Sequence, residues 1–207
     1  MSTTKTYPPP NEKVYAFNEL DESLTYSYAN YLNWLFDERL ELIKGKIYKM
    51  SPAPSRVHQK VLTNLFRPIA NFLDGKPCDL YVAPFDVRFP SKSKEDKDIY
   101  TVLQPDICVI CDKSKLDDRG CLGAPDLVVE ILSPGNNKKE LLHKYKVYEE
   151  FGVKEYWVVS QSDQYILIYT LDDEGKYQPS KLFTLSEEVN SSVLPGFVLK
   201  LDDVFED

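Results

Sequence analysis

The chain has 207 residues, 43% of them hydrophobic, with a formal net charge of −8. It is long enough to bury a sizeable core and too apolar for a disordered polyelectrolyte. No window approaches the roughly 18 apolar residues of a membrane span, and Met1–Thr6 lacks the apolar stretch of a secretory leader, so a cytoplasmic protein with no membrane partner is expected.

Residues 1–13 contain Pro8-Pro9-Pro10 and little that packs, which predicts a flexible tail ahead of one domain over 14–207. Ser27 is placed to cap a short helix with Tyr28, Tyr31, Leu32 and Leu35 on one face. Arg39–Ile43 alternates as a strand, turns at Lys44-Gly45 and returns through Ile47–Met50. Ser55 is expected to cap a long helix to Leu73, with His58, Val61, Leu62, Leu65 and Ile69 as its core stripe. Pro68 should kink or split it.

A strand over Tyr81–Phe89 is expected to lead into a charged, mobile loop, Ser91–Asp98. Two short β-branched runs, 105–111 and 126–132, read as buried strands. The sequence predicts a helix over Lys138–Phe151, ended by Gly152, and strands at Glu155–Ser160 and Tyr165–Leu171. The order describes a mixed α/β fold, a sheet flanked by helices with extra strands at both ends. In a cytoplasmic protein the four cysteines are expected as thiols, including the Cys108-x-x-Cys111 pair. Residues three apart on a strand face opposite ways, so that pair is a poor zinc site.

Three charges interrupt this apolar pattern. Asp106 and Glu130 lie in the two buried strands, and Lys144 falls on the helix face shared by Leu141, Tyr148 and Phe151. A buried carboxylate carries a large desolvation cost unless a cation or hydrogen bonds offset it. Each charge alone has a plain reading: Lys144 snorkelling to solvent, Asp106 serving a turn, and Glu130 pairing with Arg88 or Arg119. Together they point to a shared site. Glu41 and His58 are weaker candidates, one reading as solvent-exposed and the other as a core histidine. With only two histidines, a metal site must be oxygen-rich, favouring Mg²⁺ or Mn²⁺ over zinc. No phosphate-binding glycine loop, nucleophile elbow or H-E-x-x-H is present.

The strings Gln104-Pro105-Asp106, Gly123-Ala124-Pro125-Asp126-Leu127-Val128-Val129-Glu130-Ile131-Leu132-Ser133-Pro134 and Lys144…Tyr148…Gly152-Val153-Lys154-Glu155-Tyr156-Trp157 resemble the Uma-type restriction endonuclease family. So do Glu41–Ile47, Met50–Pro54 and His58-Gln59. That family is placed in the PD-(D/E)XK nuclease superfamily. The resemblance implies a restriction-endonuclease-like core and Mg²⁺-dependent hydrolysis of DNA. It makes Asp106, Glu130 and the Ile131 carbonyl metal ligands, with Lys144 catalytic. Glu41 would be a further acid near the metal, and Gln104 and His58 would line the site. The chain departs from the superfamily pattern at Leu132, where the lysine would fall, and Lys144 on the next helix matches instead. A homodimer would suit cutting of both strands. The alternative is a nuclease-fold nucleic-acid-binding or regulatory protein with little hydrolytic activity. An acidic chain must hold nucleic acid through a local basic patch in either case.

Overall fold

The computed structural model describes residues 8–206 apart from 10, 51, 52 and 134–137. Most of the expected tail, together with Ser51, Pro52 and Pro134 of the quoted strings, lies outside the described residues. The described part of the tail is tethered, because Pro9 O accepts from Asn30 Nδ2 at 3.0 Å and the Val14 N–H donates to Asn33 O at 3.0 Å.

Ser27 opens α1 (Tyr28–Tyr31) by donating from its N–H and Oγ to Asn30 Oδ1, 2.9 Å each. The helix stops after one turn, and Leu32 and Leu35 do not share its buried face. The Leu35 N–H goes to Val14 O at 2.7 Å, so pairing with the N-terminal segment wins over further helix. Next comes the expected hairpin of β1 (Leu40–Ile43) and β2 (Lys46–Lys49). Lys44 and Gly45 turn with φ of 52° and 78°, the two-residue geometry that matches strand twist. A Cβ on Gly45 would sit 2.4 Å from Thr25 Cγ2, so no larger residue fits.

The second helix, α2 (Arg56–Leu73), runs unbroken through Pro68 rather than splitting there. Packing of Val61, Leu65, Ile69 and Leu73 into the core outweighs one lost backbone hydrogen bond. The expected strand over Tyr81–Phe89 is two strands, β3 (Asp79–Val82) and β4 (Val87–Arg88), in different sheets. Between them the Ala83–Pro84 peptide is cis. Then follow β5 (Val102–Leu103), β6 (Ile107–Ile110), β7 (Leu116–Asp117), β8 (Gly120–Leu122) and β9 (Leu127–Leu132). The chain continues through α3 (Lys138–Phe151), β10 (Glu155–Ser160), β11 (Tyr165–Leu171), β12 (Tyr177–Pro179), β13 (Glu188–Asn190), β14 (Val198–Lys200) and α4 (Leu201–Phe205).

Two six-stranded sheets result, in the orders β2-β1-β5-β4-β8-β7 and β12-β11-β10-β9-β6-β3, with β13 and β14 as a separate pair. In the second sheet β9 and β10 are parallel, which requires the α3 crossover. Side chains alternate across it. Ile107, Val109, Leu127, Val129, Ile131, Trp157 and Val159 pack with α2, α4 and the small sheet. Cys108, Ile110, Val128, Tyr156 and Val158 face α3 and the first sheet instead. Glu130, of the same parity as Val128, therefore enters the layer between the sheets.

The cysteine expectation is corrected. Cys78 and Cys111 form a disulfide, while Cys108 and Cys121 are free and buried. The pairing of β3 with β6 places Asp79 opposite Ile110, so the next register step sets Cys78 against Cys111. The loop 91–98 is also anchored, since Asp96 Oδ2 accepts from Arg119 Nη1 at 2.6 Å.

Candidate active site

Three chain segments build the site. Glu41 projects from β1 and Glu130 from β9. Lys144 is carried by α3, the crossover that leaves β9. Lys144 Nζ lies 3.0 Å from both Glu130 Oε1 and Glu41 Oε1. It is 5% exposed, Glu41 2% and Glu130 8%, so the lysine does not snorkel. Arg88 and Arg119 do not take Glu130 either; they pair with Asp117 at 2.5 Å and Asp96 at 2.6 Å. Glu41 is buried rather than solvent-exposed because β5 covers β1 on one side, and Oε1 also accepts the Gln104 N–H at 2.9 Å.

One turn beyond Lys144, Tyr148 donates its hydroxyl to Glu130 Oε1 at 2.6 Å. Burial raises the pKa of Glu130, with Lys144 pulling the other way and the charges of Asp106 and Glu41 adding to the rise. Burial works against the charge on Lys144, yet the Glu130 and Glu41 carboxylates hold its pKa well above the usual lysine value. One ammonium thus serves two buried carboxyl groups.

Asp106 stands at the mouth. Its Oδ2 accepts the Ile131 N–H at 2.7 Å and lies 3.4 Å from His58 Nε2. The side chain is 20% exposed, and Oδ1 has no partner among the described residues. His58 hangs from the first turn of α2, where Ser55 Oγ accepts the His58 N–H at 3.2 Å. Burial disfavours its charged form, but Asp106 and the Ile131 carbonyl more than compensate, so its pKa is raised. Its Nδ1 is buried without a partner.

Gln104 lies over Glu41 and opens a layer that the sequence did not signal. Gln104 Nε2 donates to Asp86 Oδ1 at 2.8 Å and Tyr31 Oη at 3.2 Å; Oε1 accepts from Arg39 Nε at 3.2 Å and Nη2 at 2.8 Å. Arg39, Asp86, Tyr31 and Tyr148 were not foreseen as site residues. Only the position of Tyr148 on the Lys144 face of the helix could have singled one out.

The oxygens that the Asp106 and Glu130 carboxylates and the Ile131 carbonyl offer are hard donors, suited to a cation such as Mg²⁺ or Mn²⁺. Among the described residues no three His, Cys, Asp or Glu side chains are grouped to hold a metal. A set of Asp106, Glu130 and the Ile131 carbonyl needs only two such side chains, and Asp106 Oδ1 is open to accept a cation.

Residues 28–202 match the model of the Uma2 family, described as "Putative restriction endonuclease". The chain belongs to the Uma2 family. Among its relatives, an uncharacterized Synechocystis protein, slr1290, is 27% identical over 150 residues, 71% of this chain and 75% of that protein. Among solved structures, a putative nuclease of DUF820 from Anabaena variabilis superposes with a TM-score of 0.67 at 19% identity, covering 86% of this chain and 97% of that one. That likeness is one of fold, and it agrees with the nuclease-like mixed α/β architecture. Among the described residues of this Uma2 protein, no helix is long and apolar enough to cross a membrane.

Proposed function

We propose that this Uma2 chain is a divalent-metal-dependent endonuclease that hydrolyses DNA phosphodiesters, with Asp106, Glu130 and Lys144 as its catalytic set. The observation that carries the reading is Lys144 Nζ held 3.0 Å from Glu130, with Asp106 open to solvent beside it. A structural ion pair has no need of an open carboxylate at its rim.

Asp106, Glu130 and the Ile131 carbonyl would hold Mg²⁺ or Mn²⁺, which supplies charge neutralisation at the scissile phosphate and acidifies water there. Lys144 Nζ faces both oxygens of Glu130, at 3.0 and 3.2 Å, and Glu41 Oε1 at 3.0 Å. A metal drawing on Glu130 would free one of the lysine N–H bonds to place the attacking water and to stabilise charge growing on phosphorus-bound oxygen. Glu41 keeps that ammonium charged and fixed in place, so we assign it to the lysine rather than to the metal. Tyr148 fixes Glu130 Oε1, and His58 fixes Asp106 Oδ2. Cutting both strands of a duplex would call on two copies of the chain, and DNA as substrate agrees with a cytoplasmic protein.

The test joins melting with cleavage. Mn²⁺ or Mg²⁺ should raise the Tm of the wild type and leave that of Glu130→Gln unmoved, because an ion bound only by the folded state stabilises it. In a plasmid-nicking assay the wild type should cut only with the metal, and Glu130→Gln should fall by 100-fold or more, on the order of removing one key transition-state contact. An equal Tm response in both proteins would remove Glu130 from the metal site. A metal response without cleavage would favour the nucleic-acid-binding alternative.

A further inference from the structure

Arg39 immediately precedes β1, and alternation along the strand sets its side chain on the same face as Glu41, one pleat away. Its guanidinium is bonded through Nε and Nη2 to one neutral atom, Gln104 Oε1. Among the described residues it has no carboxylate partner. The adjacent Glu38 is paired with Lys49 instead, at 3.8 Å. Three of the five guanidinium N–H bonds are left over, including the outer edge formed by Nη1 and Nη2.

The amide that holds Arg39 can sit only one way round. Asp86 as a carboxylate only accepts, so the NH₂ of Gln104 must face it, and the carbonyl must then face Arg39. Both amide hydrogens and both carbonyl lone pairs are used. A chain of contacts, Asp86 to Gln104 to Arg39, thus orients a cation and leaves its charge unneutralised. The same Gln104 donates its backbone N–H to Glu41, the partner of Lys144.

We infer that Arg39 is a phosphate-binding residue that grips the nucleic-acid backbone beside the candidate active site, with Gln104 as its positioning residue. The guanidinium edge suits two oxygens of a phosphodiester, and arginine offers that planar fork where lysine offers a point charge. The inference rests on the nuclease reading for its substrate, but binding can be measured apart from cutting.

Fluorescence anisotropy with a labelled DNA duplex, at several salt concentrations, tests it on wild type, Arg39→Gln, Arg39→Lys and Gln104→Leu. Arg39→Gln should bind about tenfold more weakly, and its slope of log K against log[salt] should be shallower by about 0.9, one phosphate contact. Arg39→Lys should keep the salt slope but lose part of the affinity. Gln104→Leu should weaken binding without changing the slope, since the charge remains but is no longer aimed. Unchanged affinity and slope in Arg39→Gln would overturn the inference, as would a wild type that does not bind duplex. A wild type that binds through Arg39 and does not cut would overturn the nuclease reading alone.

Discussion

Lys144 is the residue on which the site turns, and its removal has an electrostatic signature. Lys144→Met keeps the bulk of the side chain but strands two buried carboxylates, a change that costs about 3–5 kcal/mol when one member of a buried ion cluster is lost. The cost depends on pH. A carboxyl whose folded pKa is raised binds a proton that the unfolded chain releases, so its contribution is fully present below the ordinary value of 4.5 and is lost as pH rises. Without the ammonium that rise is larger. The variant should approach the wild-type Tm near pH 4.5 and fall progressively behind toward neutrality; parallel curves would show that the acids do not depend on the lysine. The inward placement of Lys144 was legible in the sequence, because helical spacing set it on the face of Leu141 and Tyr148. The burial of Glu41 was not. Alternation along β1 puts it opposite Leu40 and Leu42 but cannot tell that both faces of the strand are covered.

At the scale of elements, the first sheet depends on a close approach between β4 and β8. Gly120 has φ of +116°, and a Cβ there would stand 2.2 Å from Asp86 O, which accepts the Cys121 N–H at 2.9 Å. Backbone strain and overlap together should cost Gly120→Ala about 2–4 kcal/mol, read as a lower urea midpoint. A midpoint within error of wild type would mean that β8 can move away from Asp86. Hairpin, long helix and crossover helix were all legible, through a turn glycine in the first, a capping serine in the second and apolar periodicity ended by Gly152 in the third. The split at Ala83-Pro84 was not. Tyr81–Phe89 is apolar enough for one strand, and only the packing of two sheets decides that its halves belong to different ones. The Asp86–Gln104–Arg39 chain was hidden for the same reason: its members are far apart in sequence and meet only through strand pairing.

Over the whole molecule, the Cys78–Cys111 bridge closes a separation of 33 residues, and by loop entropy its reduction should lower stability by up to about 4 kcal/mol. Denaturant melts with and without a phosphine reductant measure this, with Cys78→Ser as the control that must no longer respond. The cysteine pairing was not legible, because it follows from the register of β3 against β6, strands of different sequence regions. The crossover from β9 through α3 to β10 has a different consequence. Carboxylate and ammonium obey different periods, two residues per repeat on the strand and about 3.6 on the helix. Losing one residue from β9 would turn Glu130 to the opposite face, whereas losing one from α3 would swing Lys144 by about 100° around the axis. The amine can therefore keep its direction only by moving in whole turns. Position 148, already touching Glu130, is one turn along, so a Lys144→Tyr, Tyr148→Lys exchange is an open evolutionary route. A cation carried by a helix can wander along the chain while staying in place in space.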